Sequence, residues 1–322
     1  MPLSIAVQMD PPEQLDLSGD STFDLMLEAK SRGHKLSYFT PSGLCLEGRR
    51  LTARLCEVAV FDASEGSVDD ETGEHIEVGE EHIGNLDGFD VVLMRQDPPF
   101  DMGYITATHL LDQIHPKTLV VNDPAQVRNA PEKIFVTEFA QYMPATMITR
   151  DRGRLHDFRK QYGDVIVKPL YGNGGAGVFR ITKENENFIS LIEMFETMAP
   201  EPFIIQEYRR EVRDGDKRII LVDGEVAGAI NRIPAKGEAR SNMHVGGKAV
   251  HSELTPREEE ICAAMGKTLK ERGLIFVGID VIGGYLTEIN VTSPTGIREV
   301  RRFGGNDISV MIWDAIEKRL GV

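Results

Sequence analysis

The sequence has few cysteines and no long hydrophobic run. Only Cys45, Cys56 and Cys262 occur among 322 residues, and their scattered positions exclude a disulfide framework and a zinc site. No stretch approaches the roughly 20 apolar residues that a membrane-spanning helix needs. The segment 3–7 leads directly into the polar segment 9–12, without the basic and apolar regions of a secretory signal. We therefore expect free thiols and a cytoplasmic location.

Positive charge is also scarce. The chain has 36 Lys and Arg against 51 Asp and Glu, which gives a formal net charge of -15. Nucleic-acid binding needs clustered Lys and Arg, so we expect no nucleic-acid partner. Nor does the P-loop pattern G-x-x-x-x-G-K-[ST] occur, which excludes P-loop nucleotide binding. Any anionic substrate must therefore be bound by a few local positive groups.

The first third of the chain has an α/β pattern. Segments 4–7 and 36–39 are apolar and flank a helix that Asp20 or Ser21 caps and Gly33 ends. Further strands are predicted at 91–94 and 118–121, with a helix at 104–113 between them, and a turn at 122–124 closes this domain. Nine acidic residues between Asp62 and Glu81 show little apolar periodicity, which predicts a solvated surface loop.

The rest of the chain is dominated by predicted strands with fewer helices. A hydrophobic fraction of 41% is ordinary for a protein with well-packed cores, and the length suggests two or more domains. The expected strands are 146–149, 165–168, 178–182, 203–206, 217–222 and 226–230. The expected helices are 132–142, with Pro131 at its first position, 188–198, the helix that a Thr255 capping box opens and Gly273 ends, and 308–319.

A glycine-rich stretch follows a lysine at the end of an apolar strand. Gly172–Gly177 formally matches G-x-G-x-x-G, but that dinucleotide-binding motif requires a helix at its last glycine, and here a strand is predicted. We interpret the stretch as a mobile flap whose backbone N–H groups approach phosphate oxygens. A plain glycine-rich hairpin is the alternative. A second loop, 235–247, is also glycine-rich and polar.

The segment Gly278–Gly296 predicts a β-hairpin that carries acidic groups. Glu288 and Asn290 lie two residues apart on one strand, so their side chains share a face. Asp280 joins them only if a bulged loop pairs it with Glu288, which we favour; a two-residue turn would pair it with Thr287. Such oxygen ligands suit Mg²⁺ held together with phosphates. The alternative is an acidic, solvent-facing edge hairpin.

Arg95 follows a predicted strand of the first domain. Open α/β sheets bind ligands at the carboxyl ends of their strands, so Arg95 is a candidate clamp for an anion. A surface ion pair is the alternative for a lone arginine at a strand end.

Together these segments resemble the prokaryotic glutathione synthetases, which belong to the ATP-grasp superfamily. The glycine flap is shared by ATP-grasp enzymes in general, whereas the acidic hairpin and its SPT tail are specific to the family. The matching segments span nearly the whole chain: MDP (9–11), LMRQDPPFD (93–101), KPLYGNGGAGVFR (168–180), DGDKR (214–218), RIP (232–234) and GLIFVGIDVIGGYLTEINVTSPT (273–295).

The resemblance implies an α/β (α+β) chain with the ATP-grasp fold and an N-terminal open α/β domain. It implies an N-terminal substrate domain at 1–123, a small lid subdomain at 124–206 and a catalytic subdomain at 207–322. It also implies an ATP-dependent ligase that joins glycine to γ-glutamylcysteine through an acyl phosphate, giving glutathione, ADP and phosphate. The expected metal is Mg²⁺, with Mn²⁺ as an alternative, and the expected assembly is a cytoplasmic homotetramer with no membrane partner.

Two other functions stay open at this point. One is a different ATP-grasp carboxylate-amine ligase with another peptide substrate or acceptor. The other is a nucleotide-binding regulator that kept the fold without turnover. The presence of the expected catalytic arginine and of all three metal-ligand candidates argues against the regulator.

The resemblance also assigns roles to individual residues. Tyr171 and the segment 243–245 depart from the family pattern, and we expect His244 to face solvent rather than act as a general base. ATP phosphates are assigned to Lys133, Lys168, Gly172, Gly174 and Gly175; the adenine side to Glu207 and Tyr208; the ribose to Asp216; catalysis to Arg218 and Arg240; substrate binding to Arg95, Arg232, Asn242, Ser293 and Thr295; and the metal to Asp280, Glu288 and Asn290.

Overall fold

The structure is a computed structural model that describes residues 1–65, 74–235 and 246–322. Its strands form three sheets of seven, four and five strands. Within the described residues, no helix combines the length and apolar character that crossing a membrane requires.

The seven-stranded sheet contains the N-terminal α/β unit. Its central strands β1, β2, β6 and β7 are parallel and almost entirely buried, as their apolar runs predict. The order is β3-β4-β2-β1-β6-β7, with β5 paired to β4. The bounds are β1 (Ser4–Gln8), β2 (Lys35–Phe39), β3 (Cys45–Glu47), β4 (Arg50–Phe61), β5 (His75–Asn85), β6 (Val91–Met94) and β7 (Leu119–Val121).

The prediction of a surface loop between Asp62 and Glu81 is wrong for its C-terminal part. Residues from His75 onward form β5, which pairs along β4. Residues 66–73 lie outside the described residues. Most side chains of β5 are exposed, so this edge strand lacks the buried face whose alternation would have revealed it.

Three helices accompany this sheet, and aspartates cap all of them. Asp20, Asp101 and Asp123 each accept a hydrogen bond from a backbone N–H in the first turn of their helix. The first cap confirms one of the two predicted candidates. The helices are α1 (Ser21–Ser31), α2 (Met102–Leu111) and α3 (Pro124–Arg128).

The four-stranded sheet has the order β10-β9-β11-β8 and is antiparallel. Its core consists of Leu155, Phe158 and other residues between 155 and 205, so it is separate from the cores of the other two sheets. Its elements are β8 (Thr146–Thr149), α5 (Arg152–Tyr162), β9 (Val165–Pro169), β10 (Phe179–Ile181), α6 (Phe188–Met198) and β11 (Phe203–Glu207).

The helix predicted at 132–142 is shorter than expected. It begins as α4 (Glu132–Phe135), with Pro131 as its N-cap residue rather than its first residue. A 3₁₀ segment, Val136–Tyr142, follows, and Phe139 has non-helical backbone angles within it.

The five-stranded sheet is antiparallel, in the order β14-β13-β12-β15-β16. The predicted capping box is confirmed: Thr255 and Glu258 each bond the other's backbone N–H. The elements are β12 (Asp216–Val222), β13 (Glu225–Ile233), β14 (Lys248–His251), α7 (Pro256–Glu271), β15 (Phe276–Ile282), β16 (Tyr285–Asn290), α8 (Ile297–Arg302) and α9 (Ile308–Leu320).

The N-terminal and C-terminal sheets share their hydrophobic cores. One core joins Ala6 and Val92 to Ile219 and Ile279, and another joins Phe23 to buried residues of α9. Asn122, which follows β7, also binds β15 and the residue after β16: its side chain exchanges two hydrogen bonds with the backbone of Phe276 and donates another to the Val291 carbonyl. These contacts fix the acidic hairpin relative to the N-terminal sheet.

Candidate active site

The acidic hairpin consists of β15 and β16. Asp280 pairs directly with Glu288, which confirms the predicted pairing. Its cause differs from the expected bulged loop. Gly283 and Gly284 form a two-residue turn, both with positive φ, and the register shifts further along, so that Thr287 is the extra residue in β16. A bulge within the strand therefore brings the two carboxylates opposite each other.

Asp280 lies beneath two arginines from neighbouring strands. Arg218 donates to it through Nε at 2.5 Å and Nη2 at 3.0 Å, and Arg232 Nη2 lies 2.9 Å from Oδ1. Asn290 Nδ2 is 3.4 Å from Oδ2. Burial acts to raise the pKa of the Asp280 carboxyl, but the two guanidinium groups outweigh it and hold the pKa below its usual value. The group is therefore ionised at neutral pH.

Glu288 lies between two buried lysines. Lys168 Nζ is 2.9 Å from Glu288 Oε1, and Lys133 Nζ is 3.8 Å from the same oxygen. Burial acts to raise the pKa of Glu288, and the ammonium groups more than offset it and lower the pKa. Burial lowers the pKa of Lys133, and Glu288 partly opposes that shift. The site therefore combines fixed carboxylates with positive groups suited to phosphate.

These groups line one cavity of about 300 Å³ between the four-stranded and five-stranded sheets. That volume is at the lower end of the range for small-molecule sites. The glycine stretch and the segment 292–295 after β16 both contribute to its lining. The predicted residues that line the cavity are Lys133, Lys168, Gly172, Gly174, Gly175, Glu207, Tyr208, Asp216, Arg218, Arg232, Asp280, Glu288, Asn290, Ser293 and Thr295.

The glycine stretch connects β9 to β10, so a strand follows it and the dinucleotide-binding motif is excluded as predicted. Gly174 and Gly175 have positive φ. A Cβ at Gly172 would lie 2.5 Å from Pro169 Cγ. Lys133 donates a hydrogen bond to the Gly172 carbonyl. The conformation of the stretch therefore requires glycine, because of the close contact with Pro169 at Gly172 and the positive φ at Gly174 and Gly175.

Glu207 and Tyr208 also line the cavity. They lie at the end of β11, beside the end of β9 that is away from Lys168. The Arg180 guanidinium lies 4.2 Å from the centre of the Tyr208 ring and bonds Asp164 at 2.7 Å. The Tyr208 N–H also donates to the Asp164 carbonyl. The ring is thus held from behind, as a surface for a flat base requires.

The donor set on the hairpin fits a hard divalent cation. Asp280, Glu288 and Asn290 present two ionised carboxylates and an amide on one wall of the cavity, and divalent cations that bind phosphates prefer such oxygen ligands. The amide nitrogen of Asn290 faces Asp280 in this arrangement. A cation here would bind the amide oxygen, and exchanging the two amide positions would keep the side chain in place.

Arg95 does not line the cavity. It is 5% exposed and lies behind the segment 293–295, bound to the carbonyl of Pro294 and the hydroxyl of Thr22. Two other predicted site residues, Arg240 and Asn242, lie outside the described residues, as do the segment 243–245 and most of the second loop.

Several cavity residues were not predicted. Glu132, Gln206 and Arg209 all line it. A signal exists for Gln206, because it and Glu207 are polar residues at the end of an otherwise apolar strand, β11. Its amide donates to Thr146 Oγ1 at 2.8 Å. Arg209 stacks on Tyr285, a contact between distant segments that sequence patterns do not reveal.

Comparisons with known proteins match both parts of the chain. Residues 3–128 match the model of the prokaryotic glutathione synthetase N-terminal domain, and residues 132–305 match the ATP-grasp domain of the same family. The chain belongs to the prokaryotic glutathione synthetase family. The resemblance stated from its motifs is confirmed.

Curated relatives agree with this membership. The glutathione synthetase of Mesorhizobium japonicum is 59% identical over 317 residues, which cover 98% of this chain and 99% of the relative. That of Brucella melitensis is 57% identical over 319 residues, covering 99% of this chain and all of the relative. That of Shewanella oneidensis is 40% identical over 321 residues, covering 99% of each chain.

Solved structures confirm the predicted ATP-grasp fold. D-cycloserine synthetase DcsG gives a TM-score of 0.65 at 16% identity over 98% of this chain and 99% of that chain. The ATP-grasp ligase PsnB in complex with a minimal precursor gives 0.61 at 18% identity, covering 98% of this chain and 99% of that chain. At this identity the similarity of the chain to these structures shows the fold alone.

Proposed function

We propose that this protein joins glycine to γ-glutamylcysteine at the expense of ATP, giving glutathione, ADP and phosphate. Family membership over nearly the whole chain supports this activity. The observation that carries it is the single cavity where Lys168, Arg218 and the acidic hairpin come together. A carboxylate does not react with an amine at neutral pH, so one carboxylate oxygen must first become part of a leaving group.

The lysine side of the cavity suits the polyphosphate of ATP. Lys133 and Lys168 carry buried positive charge beside the glycine stretch, whose backbone approaches without side chains. Transfer of the γ-phosphoryl group to the peptide carboxylate gives an acyl phosphate. Positive charge here stabilises the transferring group, and Glu207 and Tyr208 at the opposite end of the cavity suit the adenine. Asp216 is assigned to the ribose.

Amine attack on the acyl phosphate needs positive groups near the developing oxyanion. Arg218 on β12 and Arg232 on β13 both line the cavity and both bind Asp280. The guanidinium of Arg218 is held by Asp280 and is thereby fixed in orientation before substrate binds. The glycine amine forms the new C–N bond, and phosphate leaves with the oxygen that came from the peptide. Arg240 and Asn242 remain predicted contributors.

Magnesium is the metal we propose, with Asp280, Glu288 and Asn290 as its protein ligands. Bound there, the ion would neutralise charge on the ATP phosphates. Lys168 pairs with Glu288, and Arg218 and Arg232 pair with Asp280, so positive side chains of the same cavity face both carboxylates.

We further propose that the protein is a cytoplasmic homotetramer. Within each chain, the domain boundaries lie near residues 123 and 206. The separate core of the four-stranded sheet supports treating it as a lid that moves as a unit. The cores shared by the other two sheets support a rigid body beneath it. Light scattering on the purified protein measures the oligomer directly.

Product analysis tests the proposed function. We expect the purified protein, with ATP, Mg²⁺ and γ-glutamylcysteine, to form glutathione when glycine is present and to release phosphate in equal amount. Alanine and serine serve as alternative acceptors. Preferential ligation of another acceptor would favour a different carboxylate-amine ligase, and ATP binding without turnover for any acceptor would favour a regulator.

A further inference from the structure

Arg95 is a buried arginine without an anionic partner. Its side chain is 5% exposed, yet no carboxylate of the described residues forms an ion pair with it. Asp20 and Asp97 are the carboxylates that act to raise the pKa of its guanidinium, and both lie beyond ion-pair distance. Burial lowers the pKa of its guanidinium, but an arginine keeps its proton in proteins. An unpaired buried charge is costly and is retained where a ligand or a function requires it.

Arg95 connects the segment 293–295, which lines the cavity, to the N-terminal part of the chain. Its Nη2 donates to the Pro294 carbonyl at 3.0 Å, and the Ser293 hydroxyl donates to the Arg95 carbonyl at 3.3 Å. On the other side, Nε donates to Thr22 Oγ1 at 3.1 Å, in the first turn of α1. The side chain and the backbone carbonyl of Arg95 therefore both hold the segment 293–295, and the side chain also links it to α1.

The same segment is also held from the catalytic sheet. Arg218 Nη1 lies 3.5 Å from the Thr295 carbonyl, so 293–295 is placed between arginines of two sheets. The Arg95 guanidinium lies 5.2 Å from the Phe276 ring centre, which restricts its plane. Its Nη1 is buried and has no hydrogen-bond partner, and neither does the buried hydroxyl of neighbouring Tyr104. Two donors thus remain unused directly behind the cavity wall.

We propose that Arg95 is a positioning residue for the peptide substrate. It holds the segment 293–295 in place and supplies positive charge behind it. The part of the cavity that this segment lines therefore receives a carboxylate of the peptide. This inference rests on the proposed function, because it takes an anionic peptide as the substrate. It also replaces the prediction that Arg95 clamps the substrate directly, since Pro294 and its neighbours lie between.

Steady-state kinetics of Arg95→Gln test the proposal. We expect the KM for γ-glutamylcysteine to rise about tenfold, the effect of losing a charge-assisted contact, with smaller than twofold changes in the KM values for ATP and glycine. Arg95→Lys keeps the charge and should recover part of the loss. Thr22→Val removes only the Nε anchor and should raise the same KM about threefold, which preserves a test if Arg95→Gln folds poorly.

Arg128→Gln is the matched control. Arg128 is also a largely buried arginine of the N-terminal part, bonded to Asp112 at 2.7 Å, and it lies away from the cavity. We expect its KM values to match those of the wild type. Equal changes in all three KM values for Arg95→Gln, or a lowered melting temperature with unchanged KM values, would reduce Arg95 to a structural residue and overturn the proposal.

The two hypotheses fail in different ways. If the wild-type protein forms no glutathione, the proposed function fails. Calorimetric binding of γ-glutamylcysteine to the wild type and to Arg95→Gln then still tests the inference: equal affinities contradict it. If the wild type ligates glycine and the variant shows no selective rise in the peptide KM, the inference alone fails.

Discussion

Glu288 contacts lysines from two segments that are far from it in the chain. Lys133 precedes the four-stranded sheet, and Lys168 belongs to β9 within it, while Glu288 lies on β16 of the other sheet. The carboxylate therefore joins the two sides of the cavity. Two buried lysines would repel each other without it, and in the proposed function ATP phosphates would be their alternative partner.

Replacing Glu288 by Gln should abolish activity while the protein stays folded. The amide has almost the same shape but lacks the charge that holds a divalent cation. We expect kcat to fall by more than the ~10–100-fold typical of losing an outer partner of a metal site. The measurement is glutathione formation across a Mg²⁺ titration, with circular dichroism to monitor folding.

Glu138→Gln is the control for this change. Glu138 is an exposed glutamate that pairs with Arg272 outside the cavity, and its loss should leave kcat unchanged. Wild-type turnover in Glu288→Gln at every Mg²⁺ concentration would remove Glu288 from the metal site.

Residue types and spacing predicted that the acidic hairpin, Lys168 and the glycine stretch belong to the site, and the family resemblance supplied further lining residues such as Glu207 and Arg218. The strand period placed Glu288 and Asn290 on one face, and the structure confirms it. Burial of Arg95 could not be read from the sequence, because it depends on a segment nearly 200 residues further along the chain. Contacts between remote segments determine whether a side chain lines the cavity or holds another segment that does.

At the level of elements, we expect the glycine flap to exclude water from the cavity. An acyl phosphate reacts with water as well as with an amine, so a cover over the cavity protects it until glycine attacks. Deleting glycines from Gly172–Gly177 should raise ATP hydrolysis relative to glutathione formed. The measurement is the ratio of phosphate to glutathione, which equals one when the reaction is fully coupled.

Deleting Gly48 provides a control for the flap deletion. Gly48 also has positive φ and lies in an exposed turn away from the cavity. Its loss should leave the ratio at one. An unchanged ratio in the flap variant would show that the segment does not act as a lid.

The turn between β12 and β13 predicts a pH dependence of stability. Asp223 binds Arg319 at 2.5 Å and Lys270 at 3.2 Å and so joins this turn to α9 and α7. Burial acts to raise the pKa of Asp223, and its cationic partners outweigh it and lower the pKa from 3.8. A carboxyl whose pKa is lower in the folded than in the unfolded protein stabilises the fold at pH values above its unfolded pKa. This stabilisation is lost as the pH falls through the folded pKa.

Asp223→Asn should therefore destabilise the protein by about 1 kcal/mol at pH 7 and by progressively less below pH ~4. Asparagine tolerates the positive φ of 49° at this position, so the turn itself persists. Urea unfolding of both proteins between pH 3 and pH 7 measures the difference. A difference that is constant with pH would show that the carboxylate contributes nothing through its charge.

Several elements that an apolar run or a helical period marks were predicted, whereas β4 was not, although its side chains alternate between buried and exposed positions. Strands β1, β6 and β9 and helix α6 lie close to their predicted positions, because apolar periodicity or a continuous apolar run marks them. Strand β5 carries acidic side chains on an exposed edge and was mistaken for a loop. Helix α8 was missed, because its six residues are too few to show a period.

For the whole molecule, Asn122 is a main link between the N-terminal sheet and the acidic hairpin. Its side chain is buried and makes three hydrogen bonds to the backbone of Phe276 and Val291. Asn122→Ala should leave these buried backbone groups unsatisfied and reduce the free energy of unfolding by about 3 kcal/mol. The midpoint of urea unfolding measures this loss.

Asn129→Ala is the control for this substitution. Asn129 is exposed and lies at the end of α3, so its loss should shift the midpoint little. An Asn122→Ala protein with the wild-type midpoint would show that the shared hydrophobic cores alone hold the two sheets together.

Transfer of oxygen from peptide to phosphate tests the central claim most directly. γ-Glutamylcysteine labelled with ¹⁸O in its cysteine carboxylate is incubated with the protein, ATP, Mg²⁺ and glycine, and the phosphate is analysed by mass spectrometry. An acyl phosphate predicts one ¹⁸O atom in the phosphate for each glutathione formed. Glutathione formed with unlabelled phosphate would contradict the account, because the carboxylate oxygen would then have left by another route.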